Sequence, residues 1–176
     1  MRQAPTRVLG LDPGTRHFGW GIVERSGARL VHIAHGIVHT DERASIAARL
    51  VVIERALVEV LIAHAADEAS VEALFYAKDA QAAAKLGHAR GVALLVCARG
   101  GLPVYEYAPA LVKRAVAGSG RAEKAQVARM VQVVLGLASL PAADAADALA
   151  LAVTHLQRVV LPIPPTIPAN KAGIRR

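Results

Sequence analysis

Cysteine occurs once in the 176 residues, at Cys97, so the chain cannot close an internal disulfide. Set in the apolar run 92–98, Cys97 reads as a small buried hydrophobe rather than a nucleophile. That usage fits a reducing, cytoplasmic setting. Aromatic residues make up only 3% of the chain, so each of the few carries more weight than usual. No apolar run reaches the ~18 residues that a membrane-spanning helix needs. Arg2 and Arg7 flank no long apolar stretch that could serve as a secretion signal. There is no internal repeat and no Cys/His cluster of the kind that holds zinc.

What the chain does have is apolar bulk and positive charge. Hydrophobic residues make up 54% of it, enough for one packed core and against wholesale disorder. Lys and Arg number 21 against 14 Asp and Glu, a net charge of +7. A positive surface selects polyanions, and nucleic acid is the leading candidate.

The pattern predicts a β-meander followed by alternating elements. Residues 7–11 form a short apolar strand that ends at Asp12 and meets the Pro13-Gly14 turn signal. Strands over 18–24 and 29–39 follow, joined at Ser26-Gly27. Ile46, Leu50, Ile53, Leu57 and Leu61 recur at helical spacing within a helix over 43–66. Alanine is so abundant from 65 to 98 that propensity alone favours one long helix. A short strand at 69–73 is placed there partly from the family resemblance described below, followed by a helix at 79–99 and a strand at 104–107. Pro109 opens a helix to 116 at the favoured first-turn position. Helices over 123–135 and 142–159 complete a domain expected at 1–160, and residues 161–176 read as a mobile basic tail. The fold class is α/β, one mixed sheet with helices against it.

Three places are costly for folding alone. Asp12 ends an apolar strand, where a charge without a partner is unfavourable. Glu72 stands in the apolar stretch 71–74. Asp144 and Asp147 sit three apart and project from one face near a helix start. The helix dipole favours anions there by roughly 0.3–1 kcal/mol each, yet two close carboxylates repel. A divalent cation resolves the repulsion, and all-oxygen ligands suit Mg²⁺ or Mn²⁺. Each acid also has a plain structural reading as a turn, cap or solvated residue, and spacing alone does not bring the segments together.

These motifs resemble a known family. Val8-Leu-Gly-Leu-Asp-Pro-Gly-Thr-Arg resembles the opening of the RuvC family of bacterial Holliday-junction resolvases. So, in the same order, do residues 71–78, 84–92 and 103–108, then 122–127 and 143–150, so that the likeness spans about residues 7 to 157. The resemblance implies a ribonuclease-H-like fold with a five-stranded mixed sheet. It maps Asp12, Glu72, Asp144 and Asp147 onto four acidic residues that bind two Mg²⁺ or Mn²⁺ ions. It maps Lys113 and Lys124 onto basic residues used near DNA, with Arg114 and Arg121 expected beside them at phosphates. Phe75 maps onto an aromatic that stacks on an unpaired base at the crossover; Tyr76 is left without a role. The family usually carries Gln after the strand Glu, where this chain has Ala73.

The implied activity is resolution of four-way DNA junctions by paired symmetric nicks, leaving 5′-phosphate and 3′-hydroxyl ends. Paired cuts in a two-fold junction call for a homodimer. In the helix 79–99, Ala83, Gly87 and Gly91 recur at four-residue spacing beside Leu94 and Leu95, a smooth strip for another backbone, although ordinary core packing explains it equally well. RuvA and RuvB branch-migration proteins are the implied further partners.

Other readings compete. Asp-Pro-Gly-Thr also resembles the phosphate-binding turn of actin-like ATPases, but these close two domains over a nucleotide, and 176 residues supply one. A non-catalytic junction-binding module would bind without Mg²⁺-dependent nicking. A one-domain nuclease of the same fold acting on RNA or other branched DNA would cut those substrates instead.

Overall fold

A computed structural model describes residues 6–73, 80–157 and 165–168. Five strands form one mixed sheet in the order β3-β2-β1-β4-β5. They are β1 (Thr6–Asp12), β2 (His17–Ser26), β3 (Arg29–His39), β4 (Glu68–Glu72) and β5 (Val104–Tyr107). β1 runs antiparallel to β2 and parallel to β4, and β4 runs parallel to β5. The helices are α1 (Ile46–His64), α2 (Ala80–Arg99), α3 (Pro109–Ala117), α4 (Lys124–Leu135) and α5 (Ala143–Gln157).

β1 is central, which explains its unbroken apolar run: Val8, Leu9 and Leu11 are fully buried from both faces. Alternation then sorts the sheet. Leu9 and Leu11 join Ile22, Ala69, Val71 and Val104 under α1 and α2. Val8, Val23 and Tyr107 face α3, α4 and α5. Asp12 shares its face with Val8 and Gly10, and the β1–β4 register puts Glu68, Ser70 and Glu72 on that same face. Both acids therefore point to the α5 side.

α5 explains the alanine-rich sequence. Its residues are buried almost all round, from Ala145 to Leu156. It lies close to the sheet because glycines make room: a Cβ on Gly10 would come within 1.9 Å of the Ala148 carbonyl oxygen, and one on Gly19 within 2.0 Å of that of Asp144. Small residues on both sides turn the carboxyl end of β1 and the start of α5 into neighbours.

Local signals set the ends. The Ser45 hydroxyl accepts from the Ala48 amide and starts α1 at Ile46, three residues later than the periodicity suggests. α1 stops at His64 because Ala65 turns left-handed (φ 48°). β4 forms in spite of the helix-favouring alanines around it, held by ladders on both sides. Within the segment read from the sequence as a mobile tail, residues 165–168 are docked, with Ile167 bridging Val104 at the outer edge of β5. Cys97 is buried, and burial pushes its thiol up to about 12. Among the described residues, no helix is long and apolar enough to cross a membrane.

Candidate metal centre

The carboxyl ends of β1 and β4 and the start of α5 converge on one cleft. Asp12, Glu72 and Asp147 line it with Lys113 of α3 and Lys124 of α4, around a cavity of ≈ 230 Å³. Asp144 sits one turn before Asp147, over Gly19, whose cross-strand partner is Asp12. It does not line the cleft, but its charge reaches Asp12. Four acids separated by up to 135 positions in sequence are thus gathered at one end of the sheet.

Their electrostatics are strained. Burial, then the charges of Asp147, Asp144 and Glu72, pushes Asp12 up to about 7, with Lys124 opposing. Glu72 is raised as well, by burial and then by Asp147, against Lys124, Lys113 and Arg90. Lys124 supplies part of the missing positive charge: its Nζ lies 2.8 Å from Asp147 Oδ2, and that contact raises its own pKa. The donor set is all hard oxygen, as Mg²⁺ or Mn²⁺ prefers. Among the described residues, no three acidic, His or Cys side chains close into a finished ligand shell, since Asp147 is turned onto Lys124. The donor chemistry and the excess negative charge fit a divalent cation, and Lys124 would have to yield Asp147 to it.

Two arginines from the helices behind the sheet brace this end. Arg49 of α1 donates from Nη2 to the Thr15 carbonyl (2.6 Å) and from Nε to Thr40 (3.1 Å), pinning the turn after Asp12. Arg90 of α2 donates from Nη1 to the Glu72 carbonyl (2.5 Å) and pairs with Glu106 (2.7 Å). Sequence reading assigned neither a role. The only signal was Arg90's place in the motif 84–92; the glycines that admit α5 were legible as glycines inside strands.

The remaining expected residues fall as follows. Arg114 and Arg121 are exposed on α3 and on the loop before α4, outside the cleft lining. Phe75 and Tyr76 lie outside the described residues, as does the Ala83 side chain. Gly87 and Gly91 face open space, with nothing within 4 Å of an added Cβ. Leu94 packs partly onto the core under α2, whereas Leu95 is 48% exposed.

A sequence profile of the crossover junction endodeoxyribonuclease RuvC family matches residues 8–155. The chain belongs to this family. RuvC of Sorangium cellulosum is 60% identical over 150 residues, 85% of this chain and 84% of that protein. RuvC of Methylorubrum populi is 54% identical, over 85% and 79%. Thermus thermophilus RuvC, solved in complex with a Holliday junction substrate, superposes with a TM-score of 0.81 at 37% identity, covering 86% of this chain and 93% of that one. The five-stranded mixed sheet is thus that of a ribonuclease-H-like RuvC fold, and RuvC proteins are metal-dependent nucleases.

Proposed function

We propose that this chain is a crossover junction endonuclease that hydrolyses phosphodiester bonds at four-way DNA junctions, serving recombination and repair as a homodimer. The observation that carries it is the gathering of Asp12, Glu72 and Asp147 with Lys113 and Lys124 in one cleft, in a chain of RuvC descent. Asp12, Glu72, Asp144 and Asp147 would hold two Mg²⁺ or Mn²⁺ ions. Such ions activate a water and neutralise charge on the leaving oxygen of the scissile phosphate.

The chain's own residues do the rest. Asp12, on the rigid central strand, fixes the position of the centre. Lys113 and Lys124 meet the phosphate beside the acids, and Lys124 exchanges its ion pair with Asp147 for the backbone of the DNA. Arg114 and Arg121 extend the positive surface along the strand; such contacts give salt-dependent affinity and little sequence information. Phe75, three residues beyond Glu72, would stack on an unpaired base at the crossover, where ~1–3 kcal/mol is available. The open Gly87–Gly91 strip of α2 supports the dimer, because it does not serve the subunit's own core. RuvA and RuvB would supply the junction.

The test offers the purified protein a synthetic four-way junction, a linear duplex and a structured RNA with Mg²⁺ or Mn²⁺. Paired symmetric nicks, confined to the junction and sealable by ligase, are the expected result. Equal cutting of RNA or duplex, or junction binding without nicking, would overturn the proposal.

A further inference from the structure

The pairing of β4 with β1 ends at Leu11 and Val71, so Asp12 and Glu72 both stand one residue beyond the ladder that joins their strands. On the other side of β4 the ladder does reach Glu72, paired with Tyr107. Between the two acid-bearing ends lies a second cavity of ≈ 170 Å³, lined by Asp12, Pro13, Glu72, Ala73, Leu86, Arg90 and Pro109. A side-chain donor, Arg90, reaches the Glu72 carbonyl at this end of β4.

Arg90 is 6% exposed, on a helix that packs against the opposite face of the sheet from the acids. A guanidinium keeps its charge in any environment, so it stays buried only where its donors are used. Here Nη2 is anchored 2.7 Å from Glu106 of β5, and Nη1 is left aimed at the Glu72 carbonyl. Glu106 lies on the α2 face of β5 because its neighbours Tyr105 and Tyr107 face α5. The two bonds make a rigid planar bridge from β5 to the last residue of β4. A monodentate lysine cannot reproduce it, because an ammonium lacks the fixed fork.

We propose that Arg90 is a positioning residue, which holds the end of β4 through the Glu72 carbonyl and Glu106 and so sets the reach of the Glu72 carboxylate toward Asp12. The inference rests on the reading of Glu72 as a metal-holding acid. Arg90 itself touches neither ion nor DNA. Because Gly91 follows it on the outward strip of α2, the same turn of helix faces both the site and the surface offered to a second copy.

The experiment compares the full chain with Arg90→Met, Arg90→Lys and Glu106→Gln. In metal-free protein, amide exchange across residues 69–73 should quicken in Arg90→Met while α4 keeps its protection. Mn²⁺ affinity, read by calorimetry on the free protein, should weaken about tenfold, the lower end of what loss of an outer ligand support costs. Junction binding in EDTA should stay near wild type, since a merely misfolded fraction would reduce sites without weakening each one. Arg90→Lys should recover only part of the affinity, and Glu106→Gln should shift it the same way by less. If Arg90→Met does not fold, these two carry the test. Wild-type Mn²⁺ affinity and exchange in folded variants overturn the inference alone. A wild type that binds no Mn²⁺, or a Glu72→Gln chain that binds it unchanged, overturns the underlying reading of the site.

Discussion

Asp12 and Glu68 sit on the same face of the sheet, and each gives a signed prediction. Burial and like charges raise Asp12, while a hydrogen bond from His155 lowers Glu68 in spite of its burial. Asp12 is raised to about 7 from 3.8, so the folded, metal-free protein holds that proton more tightly than the unfolded chain. Its contribution to stability is present below pH 4 and is lost as the pH climbs through about 7. In EDTA at pH 8, Asp12→Asn should therefore melt above wild type, by roughly 2–8 °C for ~1–2 kcal/mol in a chain of this size. The gain should vanish below pH 4. Added Mg²⁺ should reverse it, because ion binding stabilises only the wild type. The same substitution should keep junction binding and abolish nicking; normal cutting by Asp12→Asn would remove the catalytic assignment. Glu68 is lowered, chiefly by its hydrogen bond with His155 (2.5 Å), which also meets the Tyr107 hydroxyl (2.7 Å). Its contribution is present above pH 4.5 and disappears as the pH falls through its depressed value. Glu68→Gln should cost about 1 kcal/mol, or roughly 2–4 °C, at pH 7. Once the pH is below that depressed value the two melting curves should converge, and a gap that stays constant as the pH falls would show that the carboxylate charge is not what matters.

At the scale of elements, the site depends on how closely α5 approaches β1 and β2. Gly10→Ala or Gly19→Ala would drive a methyl into a backbone oxygen of α5 at 1.9 or 2.0 Å, and backbone cannot rotate away. Overpacking of this kind costs about 1–3 kcal/mol or more. Because the start of α5 carries Asp144 and Asp147, the expected phenotype is a loss of metal affinity larger than the loss of stability. Titration with Mn²⁺ beside thermal melting separates the two, and an intact metal response in a destabilised variant would contradict it. The elements themselves were largely legible. Periodicity and turn residues placed four of the five strands and the five helices of the described residues, with β3 at 29–39 and β5 at 104–107 matching to the residue. β4 was placed partly through the family resemblance, since its alanine-rich surroundings favour helix. The four acids were legible as misplaced charges, and the family motifs tied them together. The neighbours that brace them were not. Arg49 and Arg90 look like surface cations in sequence, because local pattern carries no record of which carbonyl lies across the fold. The bulge between Ile22 and Val23, which brings His32 and His35 to 2.8 Å, is invisible for the same reason. Docking of Ile167 on β5 is a long-range pairing at a Pro-rich stretch whose composition points to an open chain.

For the whole molecule, on the proposed reading, two sites address one junction. Paired cuts need two clefts related by two-fold symmetry, so each subunit must bury the same patch. α2 offers one: Gly87 and Gly91 present bare backbone to open space, Leu95 adds an exposed apolar side chain, and all three lie within eight positions of one helix. Gly91→Glu is the informative change. A side chain there meets nothing within the subunit, so the monomer fold should accept it and gain helix propensity, glycine being the poorer former by up to ~1 kcal/mol. Across a two-fold interface, however, the substitution places two like charges against apolar surface with no partner, which is strongly unfavourable. If the wild type sediments as the proposed dimer, the variant should sediment as a folded monomer. On a four-way junction that monomer should bind more weakly and release singly nicked products in place of paired ones, since each cleft still works but nothing delivers the second in register. Raising the protein concentration should not restore pairing, whereas it would if affinity for DNA alone had fallen. A Gly91→Glu chain that stays dimeric and cuts in pairs would move the interface off this strip, and the exposed Ile62 side of α1 would be the next surface to probe.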